Sequence, residues 1–141
     1  MNNDLVTMIH CLTYLAVHEG QRFSSRQLAH NACSNPVIVR RLMSLANQAD
    51  LITTENGPNG GYMIKVAPDQ IDLGSLYILV GEDARQRKKF KESVDEVCMV
   101  ANNIGSVMEK LQEEAIQAQI NFYTSKSLED VINDIKAEAA K

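Results

Sequence analysis

Arg40 and Arg41 stand side by side in a segment that opens Ser34-Asn35-Pro36, and the glycine-dense run Gly57-Pro58-Asn59-Gly60-Gly61 follows it. Guanidinium groups make paired hydrogen bonds to guanine edges or single ones to phosphate, and amide and hydroxyl side chains add neutral donors. Polyanion binding is the chemistry these residue types can perform. Ser34, Asn35 and Pro36 mark a helix start, whose unpaired backbone N–H groups suit a phosphate. Val37 can touch a thymine methyl, and Arg40, Arg41 and Ser44 share the side that solvent would see. Asn56, Gly57 and Asn59 lie in a turn where few side chains keep the backbone from a phosphate.

The other reactive residues are sparse. No nucleophile, base and acid fall together and no nucleotide-binding loop is present, so the sequence gives no support to catalysis. His10, His18 and His30 lack metal-ligand spacing with the cysteines, and no metal is expected. Cys11, Cys33 and Cys98 are odd in number and scattered, which argues against a disulfide framework. Cys33 is the better redox candidate because it directly precedes a helix start, a place that favours a reactive thiol. Cys11, one place from an apolar helix face, is the second, as a partner across a dimer.

These side chains need elements to hold them. Leu5, Met8, Ile9, Leu12, Leu15 and Ala16 recur at helical spacing, with Gly20 as a stop. Ser24-Ser25-Arg26-Gln27 offers a hydroxyl cap for a short helix through Leu28 and Ala29 to about Ala32. Asn35 then caps a third helix with Pro36 at its first position, where the missing donor costs nothing. Its apolar face is expected to be Val39, Leu42, Met43, Ala46 and Ala49. Leu51-Ile52-Thr53-Thr54 and Tyr62-Met63-Ile64-Lys65-Val66 read as strands of a hairpin around the glycine turn. Ile71-Asp72-Leu73 leads into a short helix with Leu76, Leu79 and Val80. The charged run from Gly81 to Lys91 lacks apolar periodicity and reads as a linker, which more often is solvated than bound to phosphate. The expected class is mainly α with a small β-hairpin, a winged helix-turn-helix followed by a long C-terminal dimerisation helix.

Val94, Val97, Ala101, Ile104, Met108, Leu111, Ala115, Ala118 and Phe122 alternate in spacings of three and four, a seam that wants a partner helix. A homodimer is expected, with two recognition helices for successive major grooves and a palindromic double-stranded DNA site. The run Ser125-Lys126-Ser127-Leu128-Glu129-Asp130 caps a last amphipathic helix with Leu128, Val131, Ile132 and Ile135. The chain thus divides into 1–81 for DNA binding, 82–92 as linker, and 93–141 for dimerisation and the final helix.

The 141 residues carry a net charge of −4. Residues 1–70 hold five basic and five acidic side chains, and the remainder nine basic and thirteen acidic, so the acid is C-terminal. A neutral N-terminal half implies modest, salt-sensitive DNA affinity. The start Met-Asn-Asn-Asp-Leu lacks a signal-peptide pattern and no apolar run is long enough to span a membrane, so the expected location is cytoplasmic.

The segments Asn35-Pro36-Val37-Ile38-Val39-Arg40-Arg41-Leu42, Ala49-Asp50-Leu51-Ile52, Gly57-Pro58-Asn59-Gly60-Gly61-Tyr62, Ile71-Asp72-Leu73 and Ser127-Leu128-Glu129-Asp130-Val131 occur in that order. With them the chain resembles the Rrf-two family of bacterial winged-helix regulators, over nearly its whole length. The resemblance implies a DNA-binding transcriptional regulator, more often a repressor. Many relatives hold an iron-sulfur cluster on three cysteines before the long helix; here Cys98 alone stands at the last of those places, so no cluster or other cofactor is expected. Asn56 stands where relatives often place a minor-groove arginine, which implies a weaker or differently specific wing contact. The neutral N-terminal half and Asn56 also permit a protein-interaction adaptor on the same dimer, and the cysteines a thiol-based redox-sensing regulator. Nothing in the sequence specifies a small-molecule effector, an operator or target genes.

Overall fold

The computed structural model describes residues 3–90 and 97–141. Val94 of the seam, and the end of the 82–92 run, lie outside the described residues.

Helix α1 (Asn3–Val17) buries Leu5, Met8, Leu12 and Leu15 completely. Each such side chain contributes about 1.5–3 kcal/mol relative to exposure, so this stripe anchors the core. Helix α2 (Ser25–Asn31) starts at a capping box: Gln27 N–H donates to Ser24 Oγ while Ser24 N–H donates to Gln27 Oε1. Helix α3 (Pro36–Gln48) has Pro36 at its first position and Asn35 as cap, with Val37 N–H donating to Asn35 Oδ1 at 2.7 Å. Strands β1 (Ile52–Glu55) and β2 (Gly61–Ile64) pair antiparallel, Ile52 opposite Ile64 and Glu55 opposite Gly61. Phe23 forms an isolated bridge to β2, exchanging backbone hydrogen bonds with Tyr62 at 3.0 and 2.8 Å. The hairpin is thereby tied to the segment between α1 and α2.

A 3-10 turn at Pro68–Gln70 leads to helix α4 (Leu73–Leu79), capped by Asp72, whose carboxylate accepts from Ser75 N–H at 2.8 Å. The long helix α6 (Met99–Thr124) packs its C-terminal half on α4, with Tyr77 stacked on Tyr123 and its hydroxyl donating to Gln119 Oε1 at 2.8 Å. Gly74 makes this approach possible, because a Cβ there would collide with the Thr124 hydroxyl and lie 2.9 Å from its backbone. Helix α7 (Leu128–Ala139) begins with a second capping box, Ser127 with Asp130, and returns to α1. Leu128 is fully buried with the N-terminal core, and its N–H donates to Ile71 O at 2.8 Å.

Three expectations need correction. Ala49 is not on the buried face of α3 but caps its end, exposed, while Leu45 is partly buried in its stead. The charged run after Gly81 begins with a helix, α5 (Glu82–Gln86). Glu82 is buried yet satisfied, accepting from Arg85 and Gln86, so the helix forms without an apolar stripe. Arg87 then binds Glu113 of α6 with two hydrogen bonds of 2.8 and 2.9 Å and Asp83 with one of 3.0 Å. That contact holds the Glu113 carboxyl below its usual value. Finally, Cys11 is wholly buried in the core rather than beside it.

Candidate nucleic-acid interface

Helix α3 is two-sided because its buried residues, Val39, Leu42, Met43 and Ala46, recur at core spacing. At about 100° per residue, Val37, Arg41, Ser44 and Gln48 fall opposite them, and all four are exposed. Arg40 and Asn47 turn toward the hairpin.

There they line an open groove of about 690 Å³ between α2, α3 and the wing. Its walls include Ser24, the cap of α2, Ser25 and Gln27 from α2, Arg40, Ser44 and Asn47 from α3, and Thr54, Glu55, Asn56, Gly57 and Tyr62 from the hairpin. Most of these carry donors. Arg40 reaches Ser25 Oγ at 3.5 Å, and its charge opposes the burial that pushes the Tyr62 phenol up. Arg22 underpins the wing, donating to Gly61 O at 3.2 Å with Glu55 3.4 Å away. Gly61 has φ +130°, and a Cβ there would lie 2.5 Å from Phe23 O. Asn59 is exposed at the hairpin tip.

The structure thus gathers Arg40, Ser44, Asn56 and Gly57 in one groove. It does not gather all the expected residues. Ser34, Asn35 and Pro36 line a second depression with Asn3, Asp4 and Cys33, on the α1 side. The Asn35 amide oxygen is spent on the helix cap. Arg41 points the same way, its Nη2 2.9 Å from Asp4 Oδ2. Val37 stands exposed between the two depressions.

Of the N-terminal cations, Arg22, Arg41 and Lys65 face carboxylates at 3.4, 2.9 and 3.6 Å, whereas Arg40 and Arg26 have no carboxylate partner among the described residues. Arg40 lines the groove together with the carboxylate of Glu55, which Arg22 faces at 3.4 Å. Sequence reasoning missed Ser25, Gln27, Asn47, Thr54 and Tyr62, which come from α2, α3, β1 and β2. Only the exposed polar positions of α2, read beside α3, signalled any of them.

The thiols sit apart. Cys11, with its pKa pushed up to about 11 by burial, offers no thiolate and no route to a partner chain. Cys33 is exposed and adopts φ +50° in the turn after α2, where Ser34 N–H closes on Ala29 O at 2.9 Å. Cys98 caps α6, its Sγ accepting from Ala101 N–H at 3.4 Å.

The Rrf2 family profile, described as iron-dependent transcriptional regulators, matches residues 1–134. The chain is 32% identical to the HTH-type transcriptional regulator YwnA of Bacillus subtilis, over 96% of this chain and 98% of that protein. A crystal structure described as a transcriptional regulator from Lactobacillus plantarum superposes with TM-score 0.82 at 26% identity, covering 96% of this chain and 91% of that one. Another, described as a DNA-binding protein, gives TM-score 0.73 at 32% identity over 92% and 99%. The three thiols lie on separate elements, and among the described residues no three His, Cys, Asp or Glu side chains are grouped to hold a metal. With the profile spanning almost the entire sequence and a whole-length relative at this identity, the chain belongs to the Rrf2 family of transcriptional regulators.

Proposed function

We propose that the chain acts as a homodimeric, sequence-specific DNA-binding repressor that recognises an inverted-repeat operator without an iron-sulfur cluster. The observation that carries this reading is the outward face of α3, where Val37, Arg41 and Ser44 are exposed and Arg40 opens into a donor-lined groove against the wing. In this reading α3 enters the major groove, Arg40 or Arg41 meets a guanine, Val37 meets a thymine methyl, and Asn56, Gly57 and Asn59 lie along the adjacent backbone. Ser34, Asn35 and Pro36 bring the start of α3 to a phosphate.

The dimer rests on α6. Val97, Ile104, Met108, Leu111, Ala115, Ala118 and Phe122 are exposed, with Ala101 half-buried, while the opposite side of the helix packs on its own protomer. A helix of 26 residues spans about 39 Å, so its N-terminal half supplies an apolar stripe for a second copy. Two-fold symmetry then presents two α3 helices, and the site should share that symmetry. Repression follows from occupancy, since a dimer lying on promoter DNA excludes polymerase. Among the described residues no helix is long and apolar enough to cross a membrane.

Selection of bound duplexes from a random library tests the reading. The expected outcome is an inverted repeat with half-sites about one helical turn apart. Enrichment of no sequence, or of a single unrepeated half-site, would contradict it.

A further inference from the structure

Arg41 occupies the centre of the outward face of α3, yet its guanidinium turns back to a carboxylate on another helix. We propose that Asp4 is a positioning residue that holds Arg41 off the DNA and lowers the affinity of the whole interface. The inference rests on α3 being the DNA-facing helix.

Asp4 lies in the first turn of α1, where the helix dipole favours a negative charge. Its carboxylate sits 2.9 Å from Arg41 Nη2, and both side chains remain partly solvated, at 26% and 53% exposure. A pair this open exchanges partners readily, so a DNA phosphate or base edge competes with Asp4 for the same guanidinium. The carboxylate also borders the surface that phosphates would approach, so its charge opposes binding even after Arg41 has left it. Both effects have the same sign. Arg40, one residue earlier, has no carboxylate partner among the described residues and needs no such release. The two adjacent arginines are thus unequal: Arg40 is poised in the groove, and Arg41 is available only in exchange for its internal partner.

The test uses the full chain and a fluorescently labelled, unselected duplex of about 30 base pairs, long enough for two half-sites and flanks, with anisotropy read at several salt concentrations. Asp4→Asn should bind about three- to tenfold more tightly than the wild type, with the advantage shrinking as salt rises. The same substitution in an Arg41→Ala background should gain much less. Asp4→Ser serves for the measurement if Asp4→Asn does not fold, as judged by helical circular dichroism. Equal or weaker binding by the Asp4 variant overturns the inference, as does an undiminished gain without Arg41, which would reduce Asp4 to bulk charge. Absence of wild-type binding even at the lowest salt removes the DNA-facing reading of α3 and the inference with it, an outcome distinct from the other two.

Discussion

Replacing Gly61 by alanine should loosen the wing, and the cost can be worked from its surroundings. A side chain at φ +130° is strained by about 1–2 kcal/mol irrespective of neighbours. The added Cβ would also lie 2.5 Å from the Phe23 carbonyl oxygen and 2.7 Å from its carbon, both backbone atoms that cannot rotate aside. Relief requires β2 to part from Phe23, which breaks the two Phe23–Tyr62 hydrogen bonds, each worth about 0.5–1.5 kcal/mol. The sum is about 2–5 kcal/mol. At about 3 °C per kcal/mol for a chain of this size, Tm should fall by roughly 6–15 °C in a melt followed by circular dichroism. Gly57→Ala is the control, because Gly57 has φ +102° with nothing within 4 Å of its would-be Cβ. It should show the strain alone, a fall of roughly 3–6 °C. If the two variants melt within about 2 °C of each other, the close approach of β2 to Phe23 does not stabilise the wing as argued.

Gly74→Ala should destabilise by about 1–3 kcal/mol in a urea titration, since the new methyl meets Thr124 backbone at 2.9 Å where α4 crosses α6; no change would mean the helices can separate freely. Met108→Glu or Leu111→Glu should convert a dimer to monomers in sedimentation velocity while leaving Tm of the dilute chain nearly unchanged, both positions being exposed in the protomer. A maleimide should label Cys33 in the native protein and reach Cys11 only on unfolding. Cys11 also sets a pH dependence: its thiol ionises near 9 when unfolded and about 11 when folded, so its stabilising effect is complete below pH 9 and is lost as pH rises toward 11. Stability that does not fall across that interval relative to Cys11→Ala would count against a buried neutral thiol.

Local chemistry made much of the fold legible. Ser24 with Gln27, Asn35 with Val37, and Ser127 with Asp130 are short-range hydrogen-bonding arrangements, so the polar residues at those places mark the helix starts they form. The glycine turn and its flanking strands are equally local. What sequence could not show depends on partners far along the chain. Helix α5 forms around Glu82, a buried carboxylate satisfied by its own turn, and an apolar-periodicity argument passes over it. Ala49 fits the helical period of α3 but falls at the cap, where the backbone leaves the helix. Cys11 looked marginal on a wheel, yet α1 is covered from several sides and even its Thr13 is buried. The candidate interface was half visible. Arg40 and the wing were expected together, whereas the contact of Arg41 with Asp4 crosses 37 positions and has no sequence signature.

The proposed function stands most directly on the salt dependence of binding to duplex DNA carrying the selected sequence. Displacing counterions by Arg40, Arg41 and the start of α3 from two protomers should give a straight, negative slope of log K against log salt, about −0.9 for each phosphate contact, and substitution of Arg40 by alanine should weaken binding while leaving the dimer intact. A flat dependence on salt, or affinity indifferent to Arg40, would contradict a DNA-reading role for α3.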